Sequence, residues 1–301
     1  MSERMIAIAA MVTAMFMFNI GDTLIKVAGV TLPSGEMMFV RGLFSCAMIM
    51  TYAWWVGALA AWRNTLNPPV LLRTVADSLC TLCYFNGLKH LKFADAAAIS
   101  QFLPLMVMAG AAIFFNEKVG WRRWSSAAVG LLGVMLIIKP ATSAFDPASL
   151  WIVASTVLVA FRDLITRNIP RDVPTAMITV IAAISVTLLG LLMAPFESWY
   201  MPASGEFLLL AFCGFTVLMG YIFIIIASRS GDAAACAPFR YTYIVFALLS
   251  SLFVFDESSD KLSWAGLALI VGSGLYMLHR DRVVGKRSAA PPQATPAMER
   301  S

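Results

Sequence analysis

Arg240 is the residue of this sequence with the most chemistry to offer, because it stands inside an apolar run, in Pro238-Phe239-Arg240-Tyr241-Thr242-Tyr243. A guanidinium presents a two-pronged fork to a carboxylate, and adjacent tyrosines present aromatic faces to a ring or an alkyl group. Pro238 withholds one helical hydrogen bond and invites a kink that frees backbone carbonyls. Ser100-Gln101-Phe102-Leu103-Pro104 places a second proline and further polar side chains inside another apolar run. Helices broken at matching places in a membrane protein point to a substrate site. The residues expected to form it are Arg240 for an anionic or carbonyl group, Tyr84, Phe102, Tyr241 and Tyr243 for packing, and Gln101 and Asn19 for hydrogen bonding. The competing role for Arg240 is a structural anchor between two halves of the molecule.

Other charges in apolar runs come four residues apart: Asp22 before Lys26, Arg73 before Asp77, Asp163 before Arg167. On a helix that spacing puts both side chains on one face, where they can pair. An ionisable group within a membrane span is costly and marks a site by default. Asp22, Lys26 and Asp77 are therefore the candidates for coupling or gating, with Asp22 or Asp77 carrying a coupling proton. The alternative is that the pairs are structural or mark helix ends. Glu36 and Arg41 share the second run without a sequence-local partner, and Arg41 is expected to hold helices together through a carboxylate or backbone carbonyls. Tyr221 and Asn86 are further candidates for a cavity wall.

Little else could do chemistry. His90 and His279 are far apart, and Cys80-x-x-Cys83 lies in an apolar run, where small packing residues are a simpler reading than redox or metal chemistry. No catalytic residue, metal or cofactor is expected. The chain has neither an H-E-x-x-H motif nor a phosphate-binding Gly-Lys-Ser/Thr loop. An intramembrane enzyme and a non-transporting scaffold are the remote alternatives.

Composition says what kind of element positions these residues. Of the residues, 60% are hydrophobic and only 13% charged, whereas a soluble domain carries about a quarter charged. Lipid must therefore be the solvent for much of the surface. Ten apolar spans are legible: Met5–Val27, Gly35–Val56, Val70–Leu88, Ala94–Phe115, Trp124–Ile138, Leu150–Ile165, Thr175–Ala194, Phe207–Ala227, Ala233–Phe255 and Leu262–Leu278. The runs are continuous rather than alternating, which predicts helices and not barrel strands. The first run continues through Asp22 without a convincing cleavage site, so it is read as a helix and not a signal peptide.

The chain is also written twice. Asp22 and Lys26 are answered by Asp163 and Arg167, Pro33-Ser34 by Pro174-Thr175, and Phe115-Asn116-Glu117 with Trp124 by Phe255-Asp256-Glu257 with Trp264. This predicts two five-helix repeats, 5–139 and 146–280, followed by a disordered cytoplasmic tail, 281–301. An odd span count turns the second copy upside down, giving inverted repeats. With both termini inside, 15 of the 22 basic residues fall on the inner side and 5 on the outer, which predicts cytoplasmic termini. The net charge of +5 then reflects topology, and nucleic acid is not an expected partner.

On these residues the chain resembles the drug/metabolite transporter superfamily, in its EamA-like ten-helix branch, from Met5 to about Arg280. The resemblance is carried by Lys26, Arg41, and Glu117 with Trp124. In the second half it is carried by Ala237-Pro238-Phe239-Arg240-Tyr241, Phe255-Asp256-Glu257, Trp264-Ala265-Gly266 and Gly272-Ser273-Gly274-Leu275-Tyr276. The chain departs from the family where the usual Gly before the Glu is Asn116 in the first half and Asp256 in the second. The resemblance implies an all-α integral membrane carrier of ten transmembrane helices, in two inverted five-helix repeats. Such carriers have a central cavity lined chiefly by helices three, four, eight and nine, and they work by alternating access. The expected function is efflux of amino-acid-like metabolites across the cell inner membrane, with uptake of a planar vitamin such as riboflavin as the alternative. The expected partners are a small-molecule substrate and membrane lipid. Gly130 with Gly133, and Gly272 with Gly274, would also allow a second copy to approach closely as a homodimer.

Overall fold

The structure is a computed structural model that describes residues 3–59, 62, 67–117, 119–140, 142, 145–170, 173–229 and 237–288. Among the described residues there are eleven α-helices and no strand. They are α1 (Glu3–Ala28), α2 (Ser34–Trp55), α3 (Pro68–His90), α4 (Phe93–Ser100), α5 (Leu103–Phe114), α6 (Trp121–Ile138), α7 (Ala148–Thr166), α8 (Thr175–Met193), α9 (Ser204–Arg229), α10 (Thr242–Phe253) and α11 (Lys261–Ser288). Six helical stretches are long and apolar enough to cross a membrane, α4 and α5 together counting as one of them. The chain is thus a multi-pass membrane protein.

Local chemistry sets the boundaries. The Asn67 side chain caps α3 by accepting from the Val70 amide at 3.0 Å, and Pro68 and Pro69 occupy the first turn, where no amide donor is missed. Pro104 divides the fourth expected span. Its ring and missing amide spoil the bond to the Ser100 carbonyl, so the chain tightens through Phe102 N–H to Ile99 O before α5 begins. In the second half a 3-10 turn, Ala237–Tyr241, stands ahead of α10. The expected start of that span at Ala233 lies outside the described residues. Asn116 and Asp256, at matching places after α5 and α10, have φ of 52° and 51°. That left-handed conformation suits Gly, Asn or Asp, which explains why these two can replace the glycine usual in the family. The last helix continues through Ser288, past the boundary expected at 281, and 289–301 lie outside the described residues.

The halves interlock rather than sit side by side. α1 packs on α9 and α3 on α7, while α2 pairs with α8 and α6 with α11. The pattern is reciprocal: the first helix of each half lies on the third of the other, and the second and fifth lie on their own counterparts. At the α6–α11 crossing, a Cβ on Gly133 would fall 2.6 Å from the Gly266 carbonyl oxygen, and one on Gly266 would fall 2.5 Å from that of Gly133. Gly130 packs on Leu105 and Phe102, and Gly274 on Tyr241. Gly130, Gly133, Gly266 and Gly274 are thus used in packing inside the chain, whereas Gly272 is not.

The crossing generates a prediction. Gly266→Leu overpacks a backbone-to-backbone contact and lowers stability by about 1–3 kcal/mol. Gly272→Ala, whose Cβ would meet nothing within 4 Å, leaves it unchanged. Thermal unfolding of the detergent-solubilised protein reads both.

Candidate substrate cavity

Between the interlocked halves lies a cavity of about 300 Å³, at the lower end of the range for small-molecule sites. α1 contributes Asp22, α2 Arg41, α3 Tyr84, α7 Arg162 and α9 Tyr221; the α4–α5 break contributes Ser100 and Leu103. The remaining wall mixes hydroxyls, among them Thr81, Ser155 and Thr156, with Phe18 and Phe85.

Asp22 is gripped by phenols from both halves. Tyr243 of α10 donates to its Oδ2 at 2.5 Å and Tyr84 of α3 donates to the same oxygen at 3.1 Å, with the two phenol oxygens 3.3 Å apart. Oδ1 is left with no hydrogen bond among the described residues. Arg41 stacks its guanidinium over the Phe85 ring, 4.9 Å from the centroid, and its Nε is buried with no hydrogen-bond partner. Asp22 and Arg41 line the same cavity without forming an ion pair.

Arg162 is paired with two carboxylates. One of its terminal nitrogens reaches Asp77 Oδ1 at 2.6 Å, and Nε and the other terminal nitrogen reach Asp163 Oδ1 at 3.0 and 2.9 Å. The pair joins α3 to α7 across the cavity wall.

Two further ion pairs stand outside the cavity lining, at the ends of α1 and α7, and they are counterparts in the doubled sequence. Lys26, at the end of α1, reaches Glu257 Oε1 and the Leu91 carbonyl, each at 2.7 Å, and lies 4.9 Å from the centre of the Phe255 ring. Glu257 Oε2 also accepts from the Phe93 amide at 2.7 Å. Arg167, just beyond α7, reaches Glu117 Oε1 at 2.7 Å and lies 5.9 Å from the centre of the Phe115 ring. The difference is exposure: the side chains of Lys26 and Glu257 are 9% and 23% exposed, those of Arg167 and Glu117 47% and 50%. The cavity lining includes Ile49 toward the end of α2, Asp77 in the first half of α3 and Thr179 near the start of α8, the helix that follows Arg167, which places the cavity nearer Arg167.

Several expectations need correction. None of the three sequence-local pairs is the observed one: Lys26 bonds Glu257, Asp77 bonds Arg162, Arg167 bonds Glu117, and Arg73 Nε donates to Thr166. Spacing of four residues makes a pair feasible, but a partner on a neighbouring helix offers better geometry. Asn19 does not line the cavity. It is buried, accepts from Ser250 at 2.8 Å and ties α1 to α10. Gln101 and Phe102 are turned away too. Where the chain tightens toward three residues per turn, Ser100 and Leu103 share the cavity side, and Phe102 packs against Gly130. Arg240 is exposed and Tyr241 reaches toward Gly274; neither lines the cavity. Asp22, Asp77 and Tyr84 line the cavity with Tyr221, and Tyr243, outside the lining, is bonded to Asp22, whereas Asn86 meets Ser34. Sequence reasoning assigned Arg41 to holding helices together and left Arg162 out. The usable signal was Arg41 itself, a cation deep in a span.

Residues 5–139 and 146–278 each match the EamA-like transporter family. The chain is 27% identical over 265 residues to an S-adenosylmethionine uptake transporter of Rickettsia prowazekii, covering 88% of this chain and 89% of that protein. It is 27% identical over 269 residues to the pseudopaline exporter CntI of Pseudomonas aeruginosa, covering 86% and 91%. A transporter of Helicobacter pylori described as uncharacterized is 25% identical over 268 residues, covering 86% and 90%. A solved structure 18% identical superposes with a TM-score of 0.63, covering 94% of this chain and 99% of that one, and it shares the fold. The family and the named relatives are transporters, not enzymes.

The Arg162 cluster can be tested by a double-mutant cycle. Asp77→Ala leaves a largely desolvated guanidinium short of one partner, a loss of up to about 3 kcal/mol. Adding Arg162→Gln recovers part of it. Losses that simply add would show that the pair does not couple α3 to α7.

Proposed function

Because the chain belongs to the EamA-like transporter family, we propose that it exports an amino-acid-like metabolite across the inner membrane by alternating access, in exchange for protons carried by Asp22. The observation that carries this is the state of Asp22. Its Oδ2 is held by phenols from α3 and α10, while Oδ1 is unspent in a cavity. A carboxylate there can hold a proton or a substrate cation, but not both. Mutually exclusive occupancy couples proton entry to substrate exit. The relatives' names include one uptake system and one exporter, so direction rests on this chemistry. A neutral planar vitamin such as riboflavin would leave Arg41 and Asp22 unanswered, and the charged wall favours the amino-acid-like class. S-adenosylmethionine, which the Rickettsia relative is named for taking up, belongs to that class.

Two inverted five-helix repeats supply the mechanism. The reciprocal helix pairing, the double family match and the paired Lys26–Glu257 and Arg167–Glu117 contacts support that architecture. Rocking one repeat against the other opens one end as the other closes. The excess of basic residues supports cytoplasmic termini. In that orientation the cavity faces the cytoplasm and Lys26 with Glu257 seals the outside.

Profiling the medium of cells with and without the protein tests the activity. The wild type accumulates a metabolite outside, collapse of the proton gradient stops it, and Asp22→Asn abolishes it. Export undiminished by Asp22→Asn would remove the coupling. The seal has its own test. Lys26→Glu places like charges together and cuts export severalfold, and the exchange Lys26→Glu with Glu257→Lys recovers part of it, short of full recovery because the Leu91 carbonyl and Phe93 amide lose their partners. If the exchange is no better than the single change, the contact is not a working seal.

A further inference from the structure

We propose that Arg41 is the carboxylate receptor of the cavity and that, together with Asp22, it selects zwitterions over simple amines and simple acids. This rests on the reading of the chain as a carrier and specifies what its site takes.

The cavity wall contains two cations, Arg41 and Arg162. Arg162 is spent on Asp77 and Asp163. Arg41 has no ion pair among the described residues. Its Nε is buried without a hydrogen-bond partner, and its neighbours are the Phe85 ring and the Cys213 thiol, neither of which neutralises charge. A guanidinium inside a membrane span calls for something that answers its charge; Asp22 acts on Arg41 only through space within the same cavity, with no ion pair formed, and a ligand carboxylate bonded to the guanidinium is the stronger answer. A guanidinium rather than an ammonium suits a planar carboxylate, because two parallel N–H donors meet two oxygens.

Asp22 completes the selection. Had the two charges stood in the cavity only to cancel one another, they would pair. They form no ion pair among the described residues: Arg41, which lines the cavity, has no carboxylate bonded to it, and Oδ1 of Asp22 accepts no hydrogen bond. A ligand bearing an ammonium and a carboxylate answers both. A lone amine leaves Arg41 uncompensated, and a lone acid leaves Asp22 so. Truncating one partner of such an arrangement is costly because the other charge is left buried. The hydroxyls of Thr81, Ser155 and Thr156 can serve a polar headgroup, and Phe18, Phe85 and Tyr221 an apolar side chain.

The test uses the purified full chain in detergent and thermal stabilisation as the readout of binding. The probes are the twenty L-amino acids at millimolar concentration, each compared with its decarboxylated amine and its deaminated acid. At least one amino acid stabilises the protein and its two truncated analogues do not. Arg41→Gln weakens that amino acid's Kd at least about tenfold, as loss of a charge-assisted hydrogen bond does. Arg41→Lys, which keeps the charge and loses the fork, falls between. An amine or acid that binds as well as its parent amino acid, an Arg41→Gln protein that binds the amino acid normally, or no stabilisation by any amino acid would overturn the proposal. The carrier reading would survive each of these if profiling still found a metabolite whose distribution depends on the protein; it fails separately if none is found.

Discussion

An ionised side chain inside a bilayer costs about 2.5–3.5 kcal/mol at the centre of a span unless something answers it, and in this chain the answers come mostly from the other half of the molecule. Lys26 of the first half is answered by Glu257 of the second, Arg167 of the second by Glu117 of the first, and Asp77 of the first by Arg162 of the second. Asp22 is held by one tyrosine from each half. Ionic contacts that could have been made within one helix are made across the interface instead. The halves are thereby bound where they are charged, and the cavity lies among those contacts.

That arrangement also separates charges that hold the fold together from charges that await a ligand. Arg162 and Lys26 have carboxylate partners and bridge helices. Arg41 and Asp22 line the cavity without a bonded ionic partner among the described residues, which is why they are the proposed contacts for a solute. The two equivalent end contacts differ in the same way. An exposed ion pair such as Arg167–Glu117 contributes about 0–1 kcal/mol, whereas Lys26–Glu257 is shielded and reinforced by the Leu91 carbonyl and the Phe93 amide. On the proposed alternating-access mechanism one end parts readily while the other holds, and the difference in burial between the two contacts is consistent with that.

Much of this architecture was legible in the sequence, for physical reasons. Apolar runs as long as a bilayer is thick are visible without any partner, and the helix ends at Ala28, Trp55, Ile138 and Met193 fall within one residue of those expected. Pro104 marked the α4–α5 break because the loss of an amide is local. Partner choice was not legible. Asp22 with Lys26 and Asp163 with Arg167 share helix faces, but their true partners lie in segments brought near only by folding. Facing within a break was not legible either. A tightened turn rotates Gln101 and Phe102 away and brings Ser100 and Leu103 in, and a comparable 3-10 turn sends Tyr241 toward α11 and leaves Arg240 exposed. Arg41 was visible as a cation deep in a span, but only the packing shows that nothing pairs with it.

The central proposal is that the two ends of the cavity open in turn. Spin labels in lipid nanodiscs read it directly, one pair at Val30 and Ser258 beside the Lys26–Glu257 contact, the other at Gly120 and Asn168 beside Arg167–Glu117. Distances measured across a range of pH should be anticorrelated, the first pair lengthening in the population where the second shortens. Distances that stay fixed at both ends, or lengthen at both ends together, would contradict the account.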